Sequence, residues 1–316
     1  MTLKETQVGT SVVPRVMGCV LNQRRKALIC PDIGRRDDLV IAITGATNGI
    51  GLETARELAR AGAQVLFLVR NEAKARELLL DWQNPGNVSV VSVDLGDLTT
   101  VAPAIEAIKS VLKGRRIDTL IENAGVSPRK YEQTAQGYEL AFGTNVLGHF
   151  ALRKMLIDEA ILTPSARIVV LTGDIYITAS DCTHDFTYKT LIGGSKAYSR
   201  SKLGNIWIAR VLQHKYPELT VALVHPGVVA SGLMMGDKPW ERLMKKPLLP
   251  TRMGAQTSLY CATQPIVKGG YYHNTRGRVH LAANDPAMDG GKAQALWSIC
   301  EKLAAPFLSV ASAEVA

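Results

Sequence analysis

The sequence predicts a single α/β domain, a seven-stranded parallel sheet wound with helices on both faces, and three observations predict it. Strand-like and helix-like segments alternate from residue 39 almost to the C-terminus. The first alternation, LVIAITGATNGIGLETARELARA over residues 39–61, carries a short apolar run through a glycine-rich turn into an amphipathic helical pattern. No linker rich in proline, glycine or serine and no internal repeat interrupts the series.

Each element follows from its residues. Leu39, Val40, Ile41 and Ile43 form too short a run for a helix, and their β-branched content suits a strand buried on both faces. Gly45, Gly49 and Gly51 give the next turn backbone freedom and room for a ligand, and Ile50, Ala55, Leu58 and Ala59 recur at helical spacing. Exposed backbone N–H groups at the start of that helix form a site for a pyrophosphate. A second strand is expected at 64–69, a helix with Ala73 and Leu78 to Leu80, and a third strand at 88–93 ending in Asp94. Residues 99–112 read as a helix with Pro103 in its first turn. Strands follow at 117–121, 167–172, 219–224 and 278–282, with helices at 134–160, 197–215 and around 292–303.

With 47% hydrophobic and 21% charged residues, the 316-residue chain can build a sizeable core. The net charge of +9 comes from basic residues interspersed with acids, which argues against nucleic-acid binding. Cys19, Cys30, Cys182, Cys261 and Cys300 form no CxxC and no metal-like grouping with the histidines, so no metal is expected and a reduced cytoplasmic setting fits best. Residues 1–38 break the pattern. Arg15, Arg24, Arg25 and Lys26 interrupt their apolar residues, so neither a membrane span nor a signal peptide is read there. They are expected to be a flexible or loosely docked extension, ahead of a domain at 39–304 and a tail at 305–316.

Two further patterns carry chemistry. Where an NAD-binding site would place an acidic side chain, the end of the second strand has Val69, Arg70 and Asn71. Arginine offers forked donors to a 2′-phosphate, so NADP(H) is expected in preference to NAD(H). Tyr198 and Lys202 stand four positions apart at the start of a helix, where an ammonium can favour phenolate and let the phenol exchange a proton with a carbonyl or alcohol.

These motifs, in order, make the chain resemble the short-chain dehydrogenase/reductase family across residues 39–303. The resemblance rests on Thr44-Gly45-Ala46-Thr47-Asn48-Gly49-Ile50-Gly51, Asp94, Asn123-Ala124-Gly125, Asn145, Tyr198 with Lys202, and His225-Pro226-Gly227-Val228-Val229. Segments 139–150, 201–205 and 254–262 are similar to the retinol-dehydrogenase-like and WW-domain-oxidoreductase-like branch, whose members act on lipophilic alcohols and ketones such as retinoids and steroids. Some bacterial members reduce polyketide-type ketones. The resemblance implies a Rossmann-like fold in which the Gly45–Gly51 turn, with Thr47, Asn48 and Ile50, holds the pyrophosphate. It places Asp94 and Leu95 at the adenine and Asn123, Ala124 and Gly125 beneath the cofactor. Pro226, Gly227 and Val228 would lie along the nicotinamide, with Ser231 near its carboxamide. Tyr198 would be the general acid/base, Lys202 would lower its pKa and hold the ribose, and Asn145 would position a proton-relaying water.

One position departs from the family. The serine expected after the fifth strand is missing from RIVVLTGD at 167–174: an ungapped reading puts Gly173 there, a one-residue slip puts Asp174 there, and Thr172 is one residue early. Asp174 either orients the substrate oxygen or points away into a nearby loop. Tyr176, His184, Phe186 and Tyr188, together with Leu233, Met234, Met235, Trp240, Leu243 and Met244, are expected to form a lid, centred near 231–250, over a lipophilic substrate. The function expected is NADP(H)-dependent hydride transfer to or from a carbonyl or secondary alcohol. The alternative is a dinucleotide-binding sensor with little turnover, prompted by the missing serine. A homo-oligomer is left open.

Overall fold

A computed structural model describes residues 3–12, 15, 23–82, 85–188, 190, 192–230 and 248–308. Among these are nine strands: β1 (Glu5–Val8), β2 (Val40–Thr44), β3 (Gln64–Val69), β4 (Val88–Ser92), β5 (Ile117–Glu122), β6 (Leu162–Leu171), β7 (Thr220–His225), β8 (Gly270–His273) and β9 (Gly277–Leu281). They form one sheet in the order β1-β9-β8-β7-β6-β5-β2-β3-β4. All neighbours are parallel except β8 and β9.

The helices are α1 (Gly49–Arg60), α2 (Glu72–Leu80), α3 (Val101–Leu112), α4 (His149–Asp158), α5 (Gly193–Lys215), α6 (Thr251–Thr263) and α7 (Gly290–Ala304). Because successive side chains of a strand point to opposite faces, β2 feeds two cores. Val40 and Ala42 join the core beneath α3, α4, α5 and α7, whereas Ile41 and Ile43 join the one beneath α1, α2 and α6. The chain winds from β2 outward through β3 and β4, then crosses to β5 and proceeds the other way. The carboxyl ends of β2 and β5 therefore part at a switch point, where α/β sheets open a ligand crevice.

The doubly wound architecture agrees with the sequence, but the strand count is nine rather than seven, and the sheet is not wholly parallel. β8 is only GYYH, and its return through a short turn into β9 makes a hairpin too brief for periodicity to register. β1, ETQV, is polar and half-exposed, and belongs to the segment expected to be loosely docked. That expectation is corrected for the described residues: β1 pairs with β9, Arg15 and Gln23 are buried, and Leu28 N–H donates to Asn274 C=O at 2.5 Å. The expected helix at 134–160 also begins late. Leu140–Phe142 leads into a π-helical turn, Gly143–Gly148, before α4. Residues 309–316 of the expected tail lie outside the described residues.

Candidate active site

The switch point opens into a cleft of about 830 Å³. One end is the turn between β2 and α1. Gly45 has φ +70 and Gly49 φ +57, a region that L side chains avoid. At Gly51 the backbone is ordinary, but an added Cβ would lie 2.4 Å from both the Gly45 carbonyl oxygen and Asn123 Nδ2. Asn123 staples this turn to β5, donating from Nδ2 to the Thr44 and Gly45 carbonyls at 2.9 and 3.2 Å. The Thr44 hydroxyl accepts from the N–H groups of Asn123 and Ala124 at 3.0 and 2.9 Å, and lies 2.9 Å from His149 Nε2. His149 Nδ1 faces the Asn145 carbonyl at 3.1 Å, so Nδ1 carries the proton and Nε2 accepts from Thr44. Burial holds this imidazole below its ordinary pKa, consistent with the neutral tautomer.

Every described residue expected to hold the cofactor lines the cleft: Gly45, Thr47, Asn48, Gly49, Ile50, Gly51, Arg70, Asn71, Asp94, Leu95, Asn123, Ala124, Gly125, Tyr198, Lys202, Pro226, Gly227 and Val228. Ser231 lies outside the described residues. Arg70 is exposed at the end of β3 with Lys74 beside it on the same wall, a second cation that the sequence reading missed. Asn71 is committed to capping α2, its Oδ1 accepting from Lys74 N–H at 2.9 Å.

At the other end α5 presents Tyr198 and Lys202. The Lys202 ammonium lies 5.4 Å from the centre of the Tyr198 ring and donates to the Leu171 carbonyl at 3.0 Å. Burial lowers the lysine to about 8 and raises the half-buried tyrosine above its ordinary value. In this structure the expected depression of the phenol is therefore outweighed by desolvation, and the hydroxyl is a proton donor at neutral pH. Asn145 sits in the π-helical turn, fully buried behind the cleft. Its Oδ1 accepts from Val126 N–H at 2.8 Å, and its Nδ2 donates to the Val126 carbonyl and to Ser201 Oγ, each at 2.9 Å. π-turns recur at functional sites because they re-aim a side chain without ending the helix.

The place of the missing serine is now visible. Thr172 Oγ1 donates to the Lys202 carbonyl at 2.9 Å and so fastens β6 to α5. Gly173 leaves room: an added Cβ would meet only His225 Nδ1 at 3.6 Å and Ile175 Cγ2 at 4.0 Å. Asp174 reaches the cleft wall, but its carboxylate is occupied. Oδ1 accepts from Tyr271 at 2.7 Å and Arg15 at 3.2 Å, and Oδ2 from Arg276 at 3.1 Å, with His273 Nε2 at 3.3 Å. Burial alone would raise its pKa, yet it is held well below the usual carboxylate range. His225, whose Nδ1 accepts from Asp174 N–H at 3.2 Å, is itself pushed down by burial to about 3. It is therefore neutral near pH 7, and the opposing charge on Asp174 comes from Arg15 and Arg276. The reading of Asp174 as a substituted serine is corrected on this ground: the carboxyl group is an ionised anchor with both oxygens in use. Asp174, His225 and His273 bring ligand-type atoms within 4.8 Å of one another, but two guanidinium groups already neutralise that carboxylate.

The pattern that defines the short chain dehydrogenases matches residues 39–242. The chain belongs to the short-chain dehydrogenase family. It is similar to retinol dehydrogenase 12 of Mus musculus, 34% identical over 277 residues that cover 84% of this chain and 86% of the relative. Retinol dehydrogenase 14 of Mus musculus is 32% identical over 294 residues, covering 85% and 87%. These relatives place the chain in the retinol-dehydrogenase-like branch. An uncharacterized protein from Mycobacterium paratuberculosis superposes with a TM-score of 0.68 at 28% identity, covering 88% of this chain and 98% of its own. NADPH-dependent 3-quinuclidinone reductase from Rhodotorula rubra shares the fold at a TM-score of 0.60 and 20% identity, with 78% and 92% covered.

The substrate side of this dehydrogenase differs from the sequence expectation. Tyr176 is wholly buried, its hydroxyl between Arg15 at 2.8 Å and Asp285 at 3.0 Å. His184 packs near Phe142, Phe186 lies under the Arg200 guanidinium, and Tyr188 donates to Glu139 at 2.8 Å. None of these four lines the cleft; Tyr176 packs in the interior, Phe186 and Tyr188 are half-buried and His184 is exposed. The expected lid residues Leu233 to Met244 lie outside the described residues. Arg15 and His225 were missed as members of the site because their partner, 159 and 51 residues away, leaves no local signature.

Asp174→Asn keeps the shape but takes the carboxylate away from Arg276 and leaves Arg15 with Asp285 alone, so it should cost about 1.5–3 kcal/mol at pH 7 in denaturant unfolding. A depressed carboxylate contributes its full stability above its unfolded pKa of about 3.9 and loses it as pH falls through the lower folded value, so the gap between the two proteins should start to narrow near pH 4 and close only well below it. Equal stability at pH 7 would show that the carboxylate is not an ionic anchor.

Proposed function

We propose that this short-chain dehydrogenase is an NADP(H)-dependent oxidoreductase of lipophilic carbonyls and secondary alcohols, with Tyr198 as general acid/base. The observation that carries the reading is the single cleft that joins a glycine turn too tight for side chains to the Tyr198–Lys202 pair at its far end. The residues fit a dinucleotide: Gly45, Gly49 and Gly51 leave backbone room for a pyrophosphate, and the β3 end offers Arg70 and Lys74 in place of a carboxylate. When bound, the nicotinamide would supply or accept the hydride. Tyr198 gives its hydroxyl proton to the carbonyl oxygen in reduction and takes it back in oxidation. Lys202, charged below about pH 8, stabilises the phenolate left behind. Asn145 holds the 126 segment and Ser201 of α5 in register, so that Gly125 and Lys202 face each other across the ribose end. The retinol dehydrogenase names of the relatives support a lipophilic substrate such as a retinoid; steroids and polyketide-like ketones are of the same class. The room left at Gly173 suits a substrate oxygen held by Tyr198 and backbone groups rather than by a side-chain hydroxyl. No helix among the described residues is long and apolar enough to cross a membrane.

Tyr198→Phe should lower turnover of a retinaldehyde or steroid-ketone substrate at least about 100-fold while leaving NADPH affinity nearly unchanged. Retention of most activity would reject Tyr198 as the proton donor. Arg70→Ala should weaken NADPH binding by about 1–3 kcal/mol, as expected for lost hydrogen bonds to a charged group, and leave NADH almost unaffected. Isothermal titration of both dinucleotides checks this, and an equal loss for the two would count against a 2′-phosphate at Arg70.

A further inference from the structure

We propose that the N-terminal segment is a working part of the reaction end of the cleft, with Gln23 and Arg15 as positioning residues that fix the two loops beside Tyr198. The inference rests on the reading that this cleft takes a nicotinamide dinucleotide.

The loop after β7, residues 226–229, lines the cleft and turns at Gly227, whose φ of +88 glycine adopts readily, so the loop's position must be fixed by contacts of its neighbours. Gln23 supplies it. Its Oε1 accepts from Val228 N–H at 3.0 Å, and its Nε2 donates to the Val228 carbonyl at 3.1 Å, so one primary amide satisfies both backbone groups of one residue. The same carbonyl accepts from Leu249 N–H at 3.0 Å, and Ala230 N–H donates to the Leu249 carbonyl at 2.8 Å, which closes the loop from its other side. Arg24 then donates from Nε and Nη2 to the Leu248 carbonyl at 3.2 and 3.0 Å. Gln23 is 1% exposed. Burying so flexible and polar a side chain costs rotamer entropy and hydration, and is recovered only when both ends of the amide are paired, as here.

Arg15 does the corresponding work on the loop after β6. It is 3% exposed, donates to Asp174 at 3.2 Å and to Asp285 at 2.6 Å, and lies over the Tyr176 ring at 5.1 Å. His225 joins the two anchors, since it ends β7 and accepts from Asp174 N–H. An arm that merely covered the sheet edge would need neither contact, because the β1–β9 pairing already does that. Instead two side chains eight positions apart reach the two loops that flank the reaction end.

The test is equilibrium binding of NADPH and of 2′,5′-ADP, which carries only the adenosine half, to the wild-type chain, Gln23→Leu, Arg15→Met and Arg15→Lys. Gln23→Leu should weaken NADPH about tenfold, the effect of two lost hydrogen bonds, and leave 2′,5′-ADP within about twofold. Arg15→Met should do the same, with Arg15→Lys recovering part of the loss because a cation beside Asp174 is restored. Retained 2′,5′-ADP binding shows that each variant is folded. An equal loss for both ligands, or no loss for NADPH, would overturn the inference while leaving the dinucleotide reading intact. Failure of the wild-type chain to bind either ligand would remove that reading and the inference with it.

Discussion

The backbone at the switch point must approach itself closely while its polar groups stay paired, and the site depends on how Asn123 and Thr44 meet that constraint. Burying an amide or hydroxyl without a partner is costly, so a turn this tight persists only when each N–H and C=O finds one. Asn123 Nδ2 serves two carbonyls of the glycine turn, and Thr44 Oγ1 takes two N–H groups from the start of the next loop. The hydroxyl proton goes to His149, which in turn donates to the carbonyl of Asn145. A chain of hydrogen bonds thus runs from the glycine turn to the π-helical turn that holds Asn145, and from Asn145 through Ser201 to α5, where Tyr198 and Lys202 stand.

Electrostatics separates the two sides of the reaction end. Lys202 and Tyr198 are both disfavoured in their charged forms by burial, which brings the lysine to about 8 and moves the phenol further above its ordinary value. Elsewhere on the cleft lining, Asp174 is fully committed to its charge by Arg15, Arg276, Tyr271 and His273. Perturbed groups at a cleft are consistent with catalysis, but a buried ion-pair network perturbs pKa values too. The Asp174 oxygens have partners, whereas Tyr198 and Lys202 line the cleft, which supports the catalytic reading for that pair and the structural one for Asp174.

What the sequence revealed follows the range of the interactions concerned. The glycine turn, β2 to β7 and the Tyr198–Lys202 spacing are local patterns, and each was legible because a buried parallel strand is a continuous apolar run. β1 and β8 were not, since ETQV and GYYH owe their strand character to their neighbours in the sheet. The same holds for Asp174, whose partners come from the N-terminal segment and from the β8–β9 turn. A missing serine invited the nearest polar residue as its substitute, and only long-range contacts showed that residue to be engaged elsewhere. Of the aromatics read as a lid, Tyr176 is turned into the interior by Arg15 and Asp285 for the same reason: sequence spacing gives its proximity to Tyr198 but not the direction in which it points.

The measurement that tests the account most directly follows isotope rather than absorbance. Incubation of the chain with 4-deuterated NADPH of each stereochemistry and a panel of retinaldehyde and steroid ketones, followed by mass spectrometry of the products, reads hydride transfer itself. The account predicts one deuterium on the carbinol carbon from one face of the cofactor only, abolished by Tyr198→Phe. NADPH bound in the cleft with no deuterium delivered to any carbonyl of the panel would contradict it.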